Sequence, residues 1–322
     1  MFLPEYTITN KILKNIASVE YAKAIAENTP ILPSLEESVQ KDAAFRLIKT
    51  LAQDMAKTFT DNDIKMGLDG IETTLPKDLA GIIGAALDAL ESQEDYTNST
   101  LKSLHEILTG SAGYRSQKIP NLVDPEEILA DTIELMDWCQ SIDALETHPV
   151  IFGGIIRARM EVISCFETYN PIVSNLFTRM ALRWRGYGIK NFLKYEERFS
   201  ADKQSYQKAV YSIFKDAGDL TAWLEYYSEI LAYDAMDIKE RVVLGERQTK
   251  TAVAQGITDL TERQMRILQF LHNYGTMINK DFGSLFPSIS EDSVLRDLKV
   301  LIDRGLIEKS GSTKSSKYKL KS

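Results

Sequence analysis

Residues 148–177, HPVIFGGIIRARMEVISCFETYNPIVSNLF, constrain the fold more than any other stretch. They read as two apolar helices joined by a short polar loop, Glu167-Thr168-Tyr169-Asn170-Pro171. The first carries Ile151, Ile155, Met160, Val162 and Ile163 and is apolar almost all round, the pattern of a helix buried on every side. Pro171 stands where the second would begin, a position that tolerates a missing N–H. A chain that must bury such a pair has to surround it with further helices. The loop between them, near mid-chain, is a natural candidate site.

Those further helices are legible on both sides. Residues 8–30 repeat apolar side chains at helical spacing (Ile12, Leu13, Ile16, Val19), with Thr9 or Asn10 as cap and Pro30 as stop. A second helix spans roughly 34–58, with Glu36 and Glu37 in its first turn, where negative charge suits the helix dipole. Asp61-Asn62-Asp63 starts a third, ending near Gly70. Residues 76–92 and 97–109 read as two more, the latter with Thr97 or Ser99 as cap and Gly110 as stop. Next comes an amphipathic helix over 125–141, carrying Ile128, Leu129, Ile133, Leu135, Met136 and Trp138. Residues 195–218 and 219–244 complete a bundle, and Trp223, Tyr226 and Tyr227 read as packing side chains. His105 sits inside the Leu101/Leu104/Leu108 stripe and reads as structural, and His148-Pro149 reads as a helix start. Arg179, Arg183 and Arg185 could hold phosphate, but a salt-bridged face is the simpler reading.

The order LKSLHEIL (101–108), GYRSQKI (113–119), HPVI (148–151), MEVI (160–163), YQKAV (206–210) and DLTAWLEYY (219–227) resembles the Fic family over most of residues 5–235. The resemblance implies transfer of AMP from ATP to a hydroxyl side chain of a target protein. It also implies a signature, H-x-F-x-(D/E)-G-N-G-R-x-x-R, between the two central helices. Laid on this chain, the catalytic His becomes Ser164, Phe166 survives, and the acidic residue becomes Thr168, with Glu167 one position earlier. Gly-Asn-Gly becomes Tyr169, Asn170 and Pro171, and the two arginines become Ile172 and Asn175. Two of eight signature positions remain. Many family members carry an inhibitory (S/T)-x-x-x-E-G helix end, whose Glu falls here on Met55 and whose Gly falls on Ala56. The flap that docks a target by strand addition falls on a short extended segment, Gly113 to Val123.

AMP transfer needs a base for the target hydroxyl, a group to hold Mg²⁺, and donors for the phosphate charge. Ser164 cannot act as a base near neutral pH, Pro171 removes a backbone N–H from the loop, and Ile172 replaces a cation with an alkyl group. Loss of a general base alone costs about 10²–10⁴ in rate. The resemblance therefore points to a scaffold without its chemistry, with no cofactor expected and no catalytic residue assigned. The alternative is a divergent nucleotidyl or phosphoryl transferase that keeps ATP and Mg²⁺ through Glu167, Asn170 and an arginine of the following helix.

Residues 245–260 are polar and read as a linker or a fraying helix end, and the chain beyond them has another grammar. TERQMRILQFLHN (261–273), NKDFGSLF (279–286) and a helix capped by Ser290 precede two strands around a Gly/Ser/Lys turn. This resembles a winged helix-turn-helix, with Ser290, Ser293, Arg296, Asp297 and Leu298 on its S-x-x-(S/T)-x-x-R-D-L pattern. Eleven Lys/Arg against eight Asp/Glu from residue 257 onward contrast with a net charge of −8 for the whole chain. Ser293, Arg296, Lys299, Lys314, Lys317 and Lys319 are the expected DNA-binding residues; Glu291 and Asp292 oppose phosphate there.

The expected architecture is all-α: an N-terminal helical region (1–70), a Fic-like bundle with at most a short flap hairpin (71–244), a linker (245–260) and a small winged-helix domain (261–322). With three histidines no Cys/His cluster has zinc-ligand spacing, so no metal site is expected. Two cysteines, Cys139 and Cys165, fit a reducing cytoplasm rather than a disulfide framework. No basic-then-apolar leader and no run of about 18 apolar residues is present, so no membrane partner is expected. DNA, a protein partner, or a second copy in a homodimer remain as partners.

Overall fold

The computed structural model describes residues 2–70, 75–91, 97–215, 218–254, 260–287, 289–311 and 316–321. Among these, helices dominate and the strands form one small sheet near the C-terminus, so the fold is all-α as expected. The chain divides into two units, Met1–Glu27 with Glu37–Glu240, and Asn28–Glu36 with Arg241–Ser322.

The first unit is a helical bundle built from α1 (Asn10–Asn28), most of α2 (Pro33–Asp54), α3 (Asp61–Leu68), α4 (Lys77–Glu91), α5 (Asn98–Thr109), α6 (Ile128–Cys139), α7 (Ile142–Glu146), α8 (Pro149–Ile163), α9 (Asn170–Trp184), α10 (Glu196–Ala201), α11 (Lys203–Lys215) and the first part of α12 (Thr221–Ala254). Local chemistry sets many of the ends. Thr60 and Asp63 close a capping box on α3, satisfying two orphan N–H groups reciprocally. Thr97 caps α5 through the Thr100 N–H, and Gly110 ends it at φ 78°. His148 caps α8 by accepting the Val150 N–H, with Pro149 in the first turn.

The two central helices are buried as the sequence requires. Eleven of the fifteen residues of α8 are buried, including Phe152, Ile155 and Ile156. Each such aliphatic or aromatic side chain contributes about 1.5–3 kcal/mol on leaving water. α12 crosses α8 at Gly153-Gly154, where a Cβ on Gly154 would lie 2.5 Å from Leu224 Cδ2. That absence lets the Trp223 Nε1–H reach the Gly154 carbonyl at 2.8 Å.

The second unit contains α13 (Glu262–Tyr274), β1 (Met277–Ile278), α14 (Phe282–Leu285), α15 (Glu291–Asp303), β2 (Ile307–Ser310) and β3 (Lys317–Leu320). The sheet is antiparallel with β3 between β1 and β2. Leu268, Met277, Phe282, Leu298, Ile307 and Tyr318 share its core. Asp297 ties α15 to α13, accepting from Gln264 Nε2 at 3.0 Å and pairing with Arg263.

Residues 245–254, read as part of a linker or a fraying helix end, are the last turns of α12, and 255–259 lie outside the described residues. Residues 195–215 contribute two helices, α10 and α11. Ser290 stands at the N-cap of α15 without a side-chain cap bond; its hydroxyl instead meets Ser293 Oγ at 2.9 Å.

Candidate functional site

The loop between α8 and α9 is closed by its own hydrogen bonds. Ser164 ends α8 in the left-handed region at φ 47°, its N–H donating to the Met160 carbonyl. Beneath it lies Arg115, only 2% exposed. Arg115 Nε donates to the Ser164 carbonyl at 2.8 Å, Nη2 to those of Ile163 (3.3 Å) and Val123, and Nη1 to that of Gln117 at 2.6 Å. The orphan carbonyls at the end of α8 are thus satisfied by a buried cation. The Arg115 and Val123 N–H groups donate to the Cys165 and Val162 carbonyls. Residues 113–123 were expected to be extended. They contain no strand: Arg115 draws its partners from both sides of the segment and folds it onto the end of α8.

Phe166 and Asn170 are spent on the scaffold. Phe166 is buried and stacks on His105, with ring centroids 4.0 Å apart at 3°. The Asn170 side chain accepts from the Phe166 N–H at 2.8 Å and donates to the Phe166 carbonyl at 2.6 Å. Glu167 and Thr168 are exposed, and Glu167 Oε1 accepts from the Ser116 N–H at 2.8 Å and its hydroxyl at 3.3 Å. Among the described residues no group of acids, histidines and cysteines could hold a metal. A helix N-terminus ordinarily offers several N–H groups to an anion. Here Pro171 has none, and the Ile172 and Val173 N–H groups both turn back to the Tyr169 carbonyl at 3.0 Å. Only the Asn170 N–H remains from that turn.

The two arginine positions of the signature are Ile172, 2% exposed, and Asn175, 4% exposed. Another arginine reaches this place from α8. Arg157, 1% exposed, donates through Nε to Asn175 Oδ1 at 3.0 Å and through Nη1 to Ser174 Oγ at 3.0 Å. It pairs with Glu161 and Tyr206, and the Tyr206 hydroxyl donates to Glu161 at 2.6 Å. Sequence reasoning missed this cluster; the signal was an Arg157/Glu161 pair at i,i+4 inside an otherwise apolar helix. A cavity of about 300 Å³ opens beside it, lined by Asp54, Arg157, Ile172, Asn175, Phe199 and Lys203 among others.

Met55 is buried at the end of α2, whereas Asp54 lines the cavity and accepts from Ser200 Oγ at 2.9 and 2.8 Å. Burial pushes the Asp54 carboxyl above the usual range. Ala56 adopts φ 53°, and the Lys57 N–H reaches back to the Ala52 carbonyl at 2.8 Å, a Schellman closure that ordinarily takes glycine. The sequence resemblance lays the inhibitory motif's Gly on this residue. Ala56→Gly is expected to stabilise the protein by about 0.5–1 kcal/mol in urea denaturation by relieving the left-handed strain; a loss of stability would contradict the strain.

Arg179, Arg183 and Arg185 do not line the cavity. Arg179 is buried in a bidentate pair with Glu196, and Arg185 donates to the carbonyls of Ala144, Leu145 and Thr147. In the second unit Arg296, Lys299, Lys317 and Lys319 are exposed and Ser293 is half-buried; Lys314 lies outside the described residues.

The fold can be compared with solved proteins. A Fic family protein from Desulfovibrio desulfuricans G20 matches 99% of this chain and 98% of its own, at a TM-score of 0.61 and 16% identity. The fold is that of Fic family proteins. Fic-1 (residues 134–508) from C. elegans matches 74% of this chain and 73% of its own, at a TM-score of 0.59 and 13% identity. A Fic domain containing signaling protein from Bacteroides thetaiotaomicron VPI-5482 matches 75% of this chain and 98% of its own, at 0.54 and 16%. No protein-family model and no curated protein matches the sequence.

Proposed function

We propose that this chain is a Fic-like scaffold that has lost AMP transfer and acts as a regulator, through DNA or a protein partner bound by its C-terminal unit. One observation carries the first half: the loop's polar groups are committed to internal bonds. Asn170 is spent on Phe166 and Glu167 on Ser116. Ser164 offers no base, and the first turn of α9 keeps one N–H for an anion. The second half rests on the order α13, β1, α14, α15, β2, β3 with β3 central, which is the order of a winged helix, and on its exposed lysines. No described helix is long and apolar enough to cross a membrane.

Incubation of the full chain with radiolabelled ATP, Mg²⁺ and cell lysate tests the loss of transfer. No protein labelling above a heat-treated control is expected. Labelling abolished by Ser164→Ala, Glu167→Gln or Asn170→Ala would establish a divergent transferase instead, with Glu167 released from Ser116 to hold the metal.

A further inference from the structure

The cavity beside the α8–α9 loop is better furnished than an abandoned site needs to be. We propose that it binds an α-amino acid with an apolar or aromatic side chain, whose ammonium meets Asp54 and whose carboxylate meets Asn175 Nδ2 and Lys203. This goes beyond the proposed loss of AMP transfer and does not depend on it.

Asn175 supplies the first argument. It is 4% exposed and lines the cavity, and Arg157 Nε holds its Oδ1 at 3.0 Å, which fixes which end of the amide is the donor. Its Nδ2 meets no acceptor among the described residues. The Nδ2 is not among the fully enclosed unpartnered atoms of the described residues, so it is open to the cavity and free to donate to a ligand's acceptor.

Charge supplies the second. Arg157 is neutralised by Glu161. Asp54 accepts from Ser200 and has no cation within ion-pair distance among the described residues. Lys203, exposed at the rim, likewise makes no ion pair there, although the two feel each other's charge at longer range. One unpaired anion and one unpaired cation therefore face a single small space. A simple anion would meet Asp54, and a simple cation would meet Lys203. A zwitterion satisfies both, and a polyphosphate is disfavoured by Asp54 and by the missing N–H groups of α9.

The rest of the wall fixes the side chain. Tyr169, Pro171, Ile172, Phe199 and Tyr206 are mainly apolar surfaces. The Tyr169, Phe199 and Tyr206 rings in the same lining also favour an ammonium group. A volume of about 300 Å³ suits phenylalanine or leucine rather than a nucleotide.

The test is isothermal titration of the full chain with L-phenylalanine and L-leucine, beside phenethylamine and 3-phenylpropanoate, each of which lacks one charge. At least one amino acid is expected to bind saturably at one per chain. Either single-charge analogue is expected to bind at least about tenfold more weakly, the effect of one lost charge-assisted hydrogen bond. Lys203→Glu, on an exposed side chain, is expected to weaken the amino acid about tenfold or more while Tm stays unchanged; Asp54→Asn gives a second, near-isosteric variant with the same expectation. No saturable binding at millimolar amino acid overturns the proposal, as does equal binding of phenethylamine or indifference to both variants. Mg-ATP binding in place of both amino acids also overturns it. The amino-acid outcomes do not bear on AMP transfer, which is read from protein labelling.

Discussion

Arg179→Met is expected to destabilise the helical bundle by about 3–5 kcal/mol, the cost of leaving a buried carboxylate without its cation. The Arg179 and Glu196 side chains are 4% and 1% exposed. Nε and Nη2 meet the two carboxylate oxygens at 2.8 and 2.5 Å, and Nη2 also donates to the Leu193 carbonyl at 2.9 Å. Asp234 is nearby, accepting from the Lys194 N–H at 2.7 Å, and burial pushes its carboxyl up to about 7. Removing the guanidinium thus exposes Glu196 to a like charge in a dry place. Urea denaturation followed by tryptophan fluorescence reads the effect, because Trp138, Trp184 and Trp223 all lie in the first unit. Arg179→Met/Glu196→Leu, which removes both charges, is expected to recover most of the loss. A single variant costing under about 1 kcal/mol would show the pair to be a solvated one.

That pair also marks what a linear reading can reach. The loop's place between α8 and α9 was legible because residues 151–163 are apolar almost all round and Pro171 announces the next helix, two local signals that need no partner. Caps were legible for the same reason: Thr97 and Gly110 act on their own helix. Partners distant in sequence were not. Arg179 read as one of three arginines along a helix, and nothing local distinguished its burial on Glu196 from Arg185 hydrogen-bonding three carbonyls. Arg115 was invisible as an organiser because its acceptors come mostly from separate segments, and for Arg157 only the Glu161 partner on its own helix was a local signal.

Periodicity identifies a face but not how much of it is covered. Leu129 and Ile133 belong to the apolar stripe of α6, yet they are 48% and 45% exposed, while Leu135, Met136 and Trp138 carry the burial. Gly245 opens the segment read as a linker or a fraying helix end. It is buried within α12, where a Cβ would come 2.7 Å from Leu35 Cδ2, so its role is close approach rather than termination. β1, two residues long, is too short to show any alternation, and only its pairing with β3 defines it.

Binding of double-stranded DNA by the full chain, if the C-terminal unit is the regulator's contact, is expected to be strongly salt-dependent. Arg296 and Lys299 are exposed on α15, Lys309 on β2, and Lys317 and Lys319 on β3. Tyr318 between the last two is buried, so the alternation of the strand places both lysines on its outer face. Glu308 sits opposite Lys319 in the ladder and offsets part of its charge, whereas Lys317 faces Ser310. About four phosphate contacts would give a slope near −4 in log K against log salt, a fall on the order of a hundredfold between 50 and 200 mM. Lys317→Ala/Lys319→Ala is expected to flatten that slope by between one and two, with little loss of stability because both side chains are exposed. Fluorescence anisotropy of a labelled duplex measures it. Glu291 and Asp292 at the start of α15 would lie against phosphate in a major-groove dock. Absence of binding at low salt, or a slope indifferent to the lysines, would remove DNA and leave a protein as the partner of this face.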